Sequence, residues 1–426
     1  MSVISVTGGH KLRGNIRLHG AKNSALPILA ATALCSGESV IHNCPALSDV
    51  DSAIKILRHL GAVVKKENST VIVNSDNINK FSIPDELMRE MRSSIVFLGA
   101  ICARMNKAIL SSPGGCELGP RPIDLHLSSL KELGLEIVEN HGLLECNTNG
   151  GLRGADITLS FPSVGATENI ILAAATAEGI TRIHNPAREP EISDLADFLN
   201  RAGAMVQGAG SDTIEIIGVK RLKGTEHSVI PDRIEAATYL ACAAVTEGKL
   251  TITNAIPAHL TPILAVFKNA GCEINVNNRN VTIIAPSKLN KVPTINTLPY
   301  PGFPTDGGSP VIAMLSVANG SSMFVENIFE NRYKFVDELK RLGAKITTNG
   351  RVAVIDGVPG LSGAKVECTD LRGGAGLVVA GLAANGTTEI NKIFHIDRGY
   401  EALEYNLSQL GAEIVRSKES NEQELQ

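Results

Sequence analysis

The sequence predicts an α/β protein built from six copies of one supersecondary unit, and three observations carry that prediction. First, a glycine-centred triplet recurs: Leu60-Gly61-Ala62, Leu133-Gly134-Leu135, Ala202-Gly203-Ala204, Ala270-Gly271-Cys272, Leu342-Gly343-Ala344 and Leu410-Gly411-Ala412. The central glycines are 73, 69, 68, 72 and 68 residues apart, the self-similarity of a repeat architecture. Second, each triplet closes a stretch with helical apolar spacing, such as Ile54, Leu57 and Leu60, where glycine can end a helix in the left-handed conformation. Third, a short β-like run follows each time, for example Glu136-Ile137-Val138 or Lys345-Ile346-Thr347.

Upstream of the triplet, most copies carry a small-residue apolar stretch: Leu26 to Leu34, Ile170 to Ala177, Leu377 to Ala384. Apolar on all sides, it predicts a buried helix. It ends at Gly37, Gly179 or Gly386, and a strand then runs into Asn43, Asn185 or Asn391. Three copies open with Leu12-x-Gly14, Leu152-x-Gly154 and Leu361-x-Gly363. Each unit therefore runs strand, helix, strand, helix, strands. A barrel of single βα units is excluded, because about 70 residues and two helices per copy exceed its repeat. The chain's 426 residues exceed one ordinary core, so two domains of three copies each are expected.

The net charge of −4 argues against a nucleic-acid or anionic-membrane partner, while leaving room for a small anion held by local Arg and Lys. Aromatics are 4% with no Trp, which disfavours base-stacking platforms. No apolar run reaches the ~18 residues of a membrane span. Met1 to Gly14 lacks a basic segment followed by an apolar one, so no signal peptide is visible and a cytoplasmic location is expected. The eight cysteines, Cys35, Cys44, Cys102, Cys116, Cys146, Cys242, Cys272 and Cys368, form no CxxC pair and no metal-like cluster. They are expected to be reduced thiols, and no metal or cofactor is expected. Walker, HExxH and GxSxG motifs are absent. Gly208-Ala209-Gly210, the nearest thing to a dinucleotide fingerprint, lies between β-like runs and opens no helix, so these chemistries are poor fits.

The most unusual segment runs from Ser111 to His126, with Pro113-Gly114-Gly115-Cys116-Glu117-Leu118-Gly119-Pro120-Arg121-Pro122 at its heart. Such a density of glycine and proline demands a loop. A loop Cys116 near a cation suits a reactive thiol, although an unpaired Cys is commonly structural. Lys22, in Gly20-Ala21-Lys22-Asn23-Ser24, precedes a buried helix and suits an anion contact; the bland alternative is a solvated surface Lys. Arg92, Arg233, Arg332, Arg372 and Arg398 sit at turn-like places where guanidinium forks can take carboxylate or phosphate. The bland alternative is Asp–Arg pairing between repeats, with Asp370–Arg372 and Asp397–Arg398 as candidates. Asp306, in Phe303-Pro304-Thr305-Asp306-Gly307, is either turn chemistry or a functional carboxylate.

Taken together, these segments resemble the UDP-N-acetylglucosamine 1-carboxyvinyltransferases, an enolpyruvyl transferase family, from about Leu12 to Ile414. The match includes Ala21-Lys22-Asn23, the Pro113-to-His126 loop, Ser163-Val164-Gly165-Ala166-Thr167, Ala187-Arg188-Glu189-Pro190-Glu191, Pro231-Asp232-Arg233-Ile234-Glu235, Phe329-Glu330-Asn331-Arg332 and His395-Ile396-Asp397-Arg398-Gly399-Tyr400. The resemblance implies two inside-out, barrel-like α/β domains of three βαβαββ-type repeats facing a cleft, with 22–230 as the domain carrying the catalytic loop and 1–21 plus 231–426 as the second. It implies transfer of the enolpyruvyl group of phosphoenolpyruvate to the 3-hydroxyl of UDP-N-acetylglucosamine, a peptidoglycan-forming step, without metal. Cys116, Asp306, Lys22 and Arg398 are implied as catalytic. Lys22, Asn23, Arg121, Arg372 and Arg398 are implied around phosphoenolpyruvate, with Cys116 as general acid on a closing lid that fosfomycin alkylates. Arg92, Arg121, Pro122, Ile123, Asp124, Leu125, Ser163, Val164, Gly165, Asp306 and Ile328 are implied around the nucleotide sugar, Asp306 serving as base for the hydroxyl. Two departures stand out: Gly307-Gly308-Ser309-Pro310 where the family carries glutamine-containing sequence, and Arg372-Gly373-Gly374-Ala375-Gly376 where the family's run is richer in Ala and Ser. Extra glycine is expected to loosen the backbone there. The alternatives are a 5-enolpyruvylshikimate-3-phosphate synthase-like transferase and a non-catalytic nucleotide-sugar-binding paralogue.

Overall fold

The computed structural model describes residues 2–113 and 123–418. Each copy of the repeat folds around two helices joined by a strand, and in the first five copies a β-hairpin closes the unit. The first helix of each copy is buried around nearly its whole circumference. These inner helices are Lys22–Thr32, Phe97–Met105, Val164–Ala174, Arg233–Val245, Gly308–Leu315 and Leu371–Ala383. The second, outer helices are Ser48–Leu60, Asp124–Glu132, Pro190–Arg201, Thr261–Asn269, Val336–Arg341 and Leu403–Gln409. They bury one stripe and expose the other, as amphipathic surface helices do.

All six repeat glycines end these outer helices with positive φ: Gly61 114°, Gly134 92°, Gly203 103°, Gly271 93°, Gly343 95° and Gly411 98°. In each, the N–H beyond the glycine reaches back to a carbonyl five residues earlier, as in Ala62 N to Leu57 O at 3.0 Å, Leu135 N to Leu130 O at 3.0 Å and Ala412 N to Leu407 O at 3.0 Å. This satisfies helix-end carbonyls that would otherwise be orphaned.

Contacts divide the chain into two compact units, with breaks between His19 and Gly20 and between Ile230 and Pro231. In the central unit (20–113 and 123–230) the first sheet has the order Glu226–Ser228, Glu38–His42, Thr70–Asn74, Val63–Glu67. Its first pair is parallel, Glu226 opposite Val40, and the rest is antiparallel. The unit's last strand therefore completes its first sheet. In the terminal unit (2–19 and 231–418), Ser2–Thr7 lies antiparallel between Thr387–Asn391 and Glu413–Lys418, so the chain start completes the last repeat. Arg13–Arg17 likewise pairs in parallel with Lys249–Thr253. Both long excursions of the chain are closed by backbone ladders.

Each unit has its own apolar core around its three inner helices. Seven cysteines are described, all buried and none of them in a disulfide among the described residues. Burial pushes Cys35, Cys242 and Cys272 up to about 12, which makes them poor nucleophiles. Cys116 lies outside the described residues. Among those described, no helix is long and apolar enough to cross a membrane.

The glycine-rich start of helix Leu371–Ala383 corrects the expectation of a loosened backbone. Gly373, Gly374 and Gly376 are buried within the helix. A Cβ on Gly374 would lie 2.8 Å from Cys368 Sγ and 2.8 Å from Ile396 Cγ1, and one on Gly376 would lie 2.9 Å from Ser309 O. Gly308 likewise leaves 2.9 Å between a Cβ and the Phe324 ring. These glycines let neighbouring elements approach closely, and the resulting packing holds the backbone. Gly374→Ala should therefore destabilise by about 1–2 kcal/mol, overpacking outweighing the gain of about 1 kcal/mol in helix propensity. Denaturant midpoints check this, and an equal or higher midpoint would contradict it.

Candidate active site

Several of the described candidate residues share one kind of structural position, the start of an inner helix. Lys22 is the first residue of Lys22–Thr32, and Arg92 opens the 3-10 turn Arg92–Val96 that leads into Phe97–Met105. Ser163 caps Val164–Ala174, Asp232 caps the helix begun by Arg233, and Asp306 lies in the 3-10 turn before Gly308–Leu315. Asp370 caps the helix whose second residue is Arg372. Each of these starts presents the positive end of the helix dipole, an environment suited to anions.

In the central unit, Lys22 is buried and its Nζ lies 2.7 Å from Asp49 Oδ2, itself buried on the first turn of the outer helix Ser48–Leu60. This excludes the surface-lysine alternative. Asn23 beside it is half-buried. Three of the nucleotide-sugar candidates, Arg92, Asp124 and Gly165, lie around His126, whose own role the sequence did not disclose. His126 Nδ1 lies 2.7 Å from Asn169 Nδ2, and Asn169 Nδ2 also donates to Ile95 O at 3.0 Å. An amide nitrogen only donates, so Nδ1 accepts and the imidazole is neutral. A Cβ on Gly165 would stand 2.8 Å from His126 Cε1, so glycine lets the ring sit against the start of the helix. Burial is the main reason the His126 pKa falls to about 4, with the Arg92 charge adding to it and Asp124 pulling weakly the other way. Arg92 Nη1 donates to Pro113 O at 3.5 Å, where the Cys116 loop leaves the described residues. Ile123 and Leu125 are half-buried and Asp124 is exposed at the start of the outer helix Asp124–Glu132. Arg121 and Pro122, like Cys116, lie outside the described residues.

In the terminal unit, Asp306 is gripped by two arginines. Arg332 Nη2 donates to Oδ1 at 2.9 Å; Arg372 donates to Oδ2 from Nε at 3.2 Å and Nη2 at 3.1 Å. Both arginine side chains are under 5% exposed, at 4% and 2%. The Asp306 carboxylate is thus flanked by a guanidinium on each oxygen. Burial works against the Arg372 charge, yet the Tyr400 oxygen and Asp306 carboxylate outweigh it, and its pKa lies above the ordinary value. The guanidinium also lies 5.3 Å from the centre of the Tyr400 ring, and Tyr400 Oη is 2.8 Å from Thr238 Oγ1. A buried carboxylate, Glu326, braces this region. Its Oε1 accepts from Thr297 Oγ1 at 2.9 Å, Ile328 N at 2.8 Å and Phe329 N at 3.1 Å, and its Oε2 accepts from Thr305 Oγ1 at 2.7 Å. It thus ties the turn carrying Asp306 to the half-buried Ile328. Arg398 ends the 3-10 turn Ile393–Arg398 and is half-buried.

The two suspected Asp–Arg pairs are corrected. Asp370 spends its Oδ1 on the backbone N–H groups of Arg372 and Gly373, both at 3.0 Å, while the Arg372 side chain turns to Asp306. Asp397 pairs with Arg416, at 2.6 Å and 3.0 Å. Local helix capping consumes the Asp370 oxygen, and folding brings Arg416, 19 residues on, against Asp397.

A family model, EPSP synthase (3-phosphoshikimate 1-carboxyvinyltransferase), matches residues 6–422. The chain is 53% identical over 416 residues to UDP-N-acetylglucosamine 1-carboxyvinyltransferase 2 of Caldanaerobacter subterraneus subsp. tengcongensis, covering 98% of this chain and 100% of the relative. The chain belongs to the 1-carboxyvinyltransferase family. A Finegoldia magna UDP-N-acetylglucosamine 1-carboxyvinyltransferase is 46% identical over 98% of the chain and 99% of its own length. Among solved structures, the 1-carboxyvinyltransferase fold is seen in the enolpyruvyl transferase NikO from Streptomyces tendae (TM-score 0.88, 26% identity, 98% of this chain and 99% of that one). EPSP synthase from Acinetobacter baumannii shares the fold at TM-score 0.77 and 18% identity, covering 98% and 100%.

His126 makes stability depend on pH. Its folded pKa of about 4 lies below the unfolded value of about 6.5, so between these limits the unfolded state binds more protons. The stabilisation is full above pH 6.5 and is lost as pH falls towards 4, by about 3 kcal/mol in all. Urea midpoints of wild type and His126→Gln should converge over this window as the wild type weakens, and parallel profiles would contradict the assignment.

Proposed function

We propose that this protein transfers the enolpyruvyl group of phosphoenolpyruvate to the 3-hydroxyl of UDP-N-acetylglucosamine and releases phosphate, the first committed step of peptidoglycan synthesis, in the cytoplasm. The observation that carries the reading is full-length identity of 53% and 46% to proteins named for that reaction. Identity to the shikimate-pathway structure with the same fold is 18%.

The residue roles fit the chemistry of the substrates. Phosphoenolpyruvate brings a phosphate and a carboxylate, and Lys22, Asn23, Arg121, Arg372 and Arg398 supply the cations and donors for them. Lys22 acts from a helix start whose dipole adds to its charge, and binding the phosphate shifts part of its pairing away from Asp49. The Cys116 thiol gives its proton to the methylene carbon, leaving positive charge at the adjacent carbon. The sugar 3-hydroxyl attacks that carbon while Asp306 takes the hydroxyl proton. The tetrahedral adduct then loses a methyl proton and breaks its C–O bond to phosphate, regenerating the double bond. Arg92, Arg121, Pro122, Ile123, Asp124, Leu125, Ser163, Val164, Gly165 and Ile328 hold the nucleotide sugar. In the central unit, neutral His126 and its amide partner Asn169 stiffen the wall formed by several of them.

The expected outcome is phosphate release with UDP-N-acetylglucosamine and not with shikimate 3-phosphate. Cys116→Ala and Asp306→Ala should each lower kcat at least about 100-fold. Fosfomycin with nucleotide sugar should leave an adduct on Cys116 by mass spectrometry. Release with shikimate 3-phosphate would favour the shikimate-type alternative. Nucleotide-sugar binding without release would favour the silent paralogue.

A further inference from the structure

We propose that Asp194 is a positioning residue that clamps the backbone on both sides of Lys22 and Asn23; the inference rests on the reading of those two residues as the phosphoenolpyruvate grip. Asp194 lies in the middle of the outer helix Pro190–Arg201 and is 4% exposed. Its carboxylate gathers three donors from distant stretches of the central unit. The Ser24 hydroxyl donates to Oδ2, and Ile230 N donates to the same oxygen at 3.2 Å. His227 Nε2 lies 2.9 Å from Oδ1; a carboxylate only accepts, so Nε2 carries the hydrogen. Ser24 and His227 are themselves buried, at 0% and 4%.

The ring closes through the backbone. Ala21 N donates to Ile230 O at 2.7 Å. Ala21 is also the residue before the inner helix, and it offers no side-chain cap. The helix start is therefore anchored at Ala21 through Ile230 and at Ser24 through its hydroxyl, and both anchors meet at Asp194. Lys22 and Asn23 are the two residues between them. An anion grip loses rate when its geometry slackens, because orientation is settled before the reaction rather than during it. Nothing in the arrangement brings Asp194 to substrate, so its effect passes entirely through the Ala21–Ser24 segment. The clamp also explains an outer-helix Asp facing inwards: three charge-assisted hydrogen bonds offset its burial, and each orphaned donor would cost about 1–3 kcal/mol.

Three variants separate positioning from plain stability. Ser24→Ala cuts the link to the helix and leaves the carboxylate in place. Asp194→Ala removes both links. Asp194→Asn can keep its oxygen on Ser24 and Ile230, so it should largely rescue KM and Lys22 labelling, at a cost in stability because the His227 ring hydrogen moves to a buried Nδ1 with no partner among the described residues. For Ser24→Ala and Asp194→Ala, KM for phosphoenolpyruvate should rise about tenfold while the calorimetric Kd for UDP-N-acetylglucosamine stays unchanged. A substrate-free readout accompanies it: acetylation of Lys22 by an N-hydroxysuccinimide ester, followed by mass spectrometry below the melting transition. Labelling should be slow in wild type and Asp194→Asn and several-fold faster in the other two. Lower melting temperature with unchanged KM and unchanged Lys22 labelling would overturn the proposal and leave Asp194 a purely structural residue. Faster Lys22 labelling in a protein whose wild type releases no phosphate would uphold the clamp and overturn the functional reading instead.

Discussion

The structure depends on the burial of its inner helices. A helix enclosed by other elements cannot leave its first N–H groups to bulk water, so each start must be met by a capping side chain, by neighbouring backbone or by an anion. Asp232 and Asp370 meet this demand with carboxylates, Ser163 with a hydroxyl, and Ala21 through the peptide of Ile230. The same constraint makes these starts the natural place for chemistry on anions. Polar groups gather there, water is limited, and the aligned peptides favour negative charge. Lys22, Arg233 and Arg372 lie within the first two residues of such a start, and Arg92 opens the 3-10 turn that leads into another.

Buried cations at these points require counter-charges, and the structure supplies them from within. Asp49 holds Lys22 at 2.7 Å, and Asp306 holds Arg372 and Arg332. Such pairs are of uncertain net benefit to stability, because desolvation consumes most of their attraction. Their value lies in position. A cation already desolvated and aimed pays little further cost when a substrate anion arrives. Buried carboxylates one step removed, Asp194 and Glu326, brace the segments that carry Lys22 and Asp306. Each unit is thus layered, with charged groups at helix starts and fully bonded carboxylates behind them.

The repeat was legible in the sequence because its signals are local. Glycine after an apolar helical stretch ends a helix wherever it occurs, and all six glycines do so with positive φ. The inner helices were legible from their small, uniformly apolar composition. The pairings were not. Asp370 neighbours Arg372 in sequence, but a capping Asp is consumed by backbone N–H groups, and the arginine finds its partner 66 residues away at Asp306. Asp194 gave no signal, since an Asp in an amphipathic outer helix resembles any solvated surface residue until tertiary packing turns it inwards. The glycines at 373, 374 and 376 misled for a related reason: their looseness in isolation becomes close packing once Cys368, Ile396 and Ser309 press against them. Residues 114–122, with Cys116 and Arg121, rest on the resemblance alone.

The most direct test is crystallographic: where phosphoenolpyruvate, or a non-reacting phosphonate analogue of it, settles when nucleotide sugar is also bound. The account predicts a phosphorus-bound oxygen at about 3 Å from Lys22 Nζ, against the helix start at Ala21–Ser24. A ligand bound elsewhere, with Lys22 still spent wholly on Asp49, would contradict it.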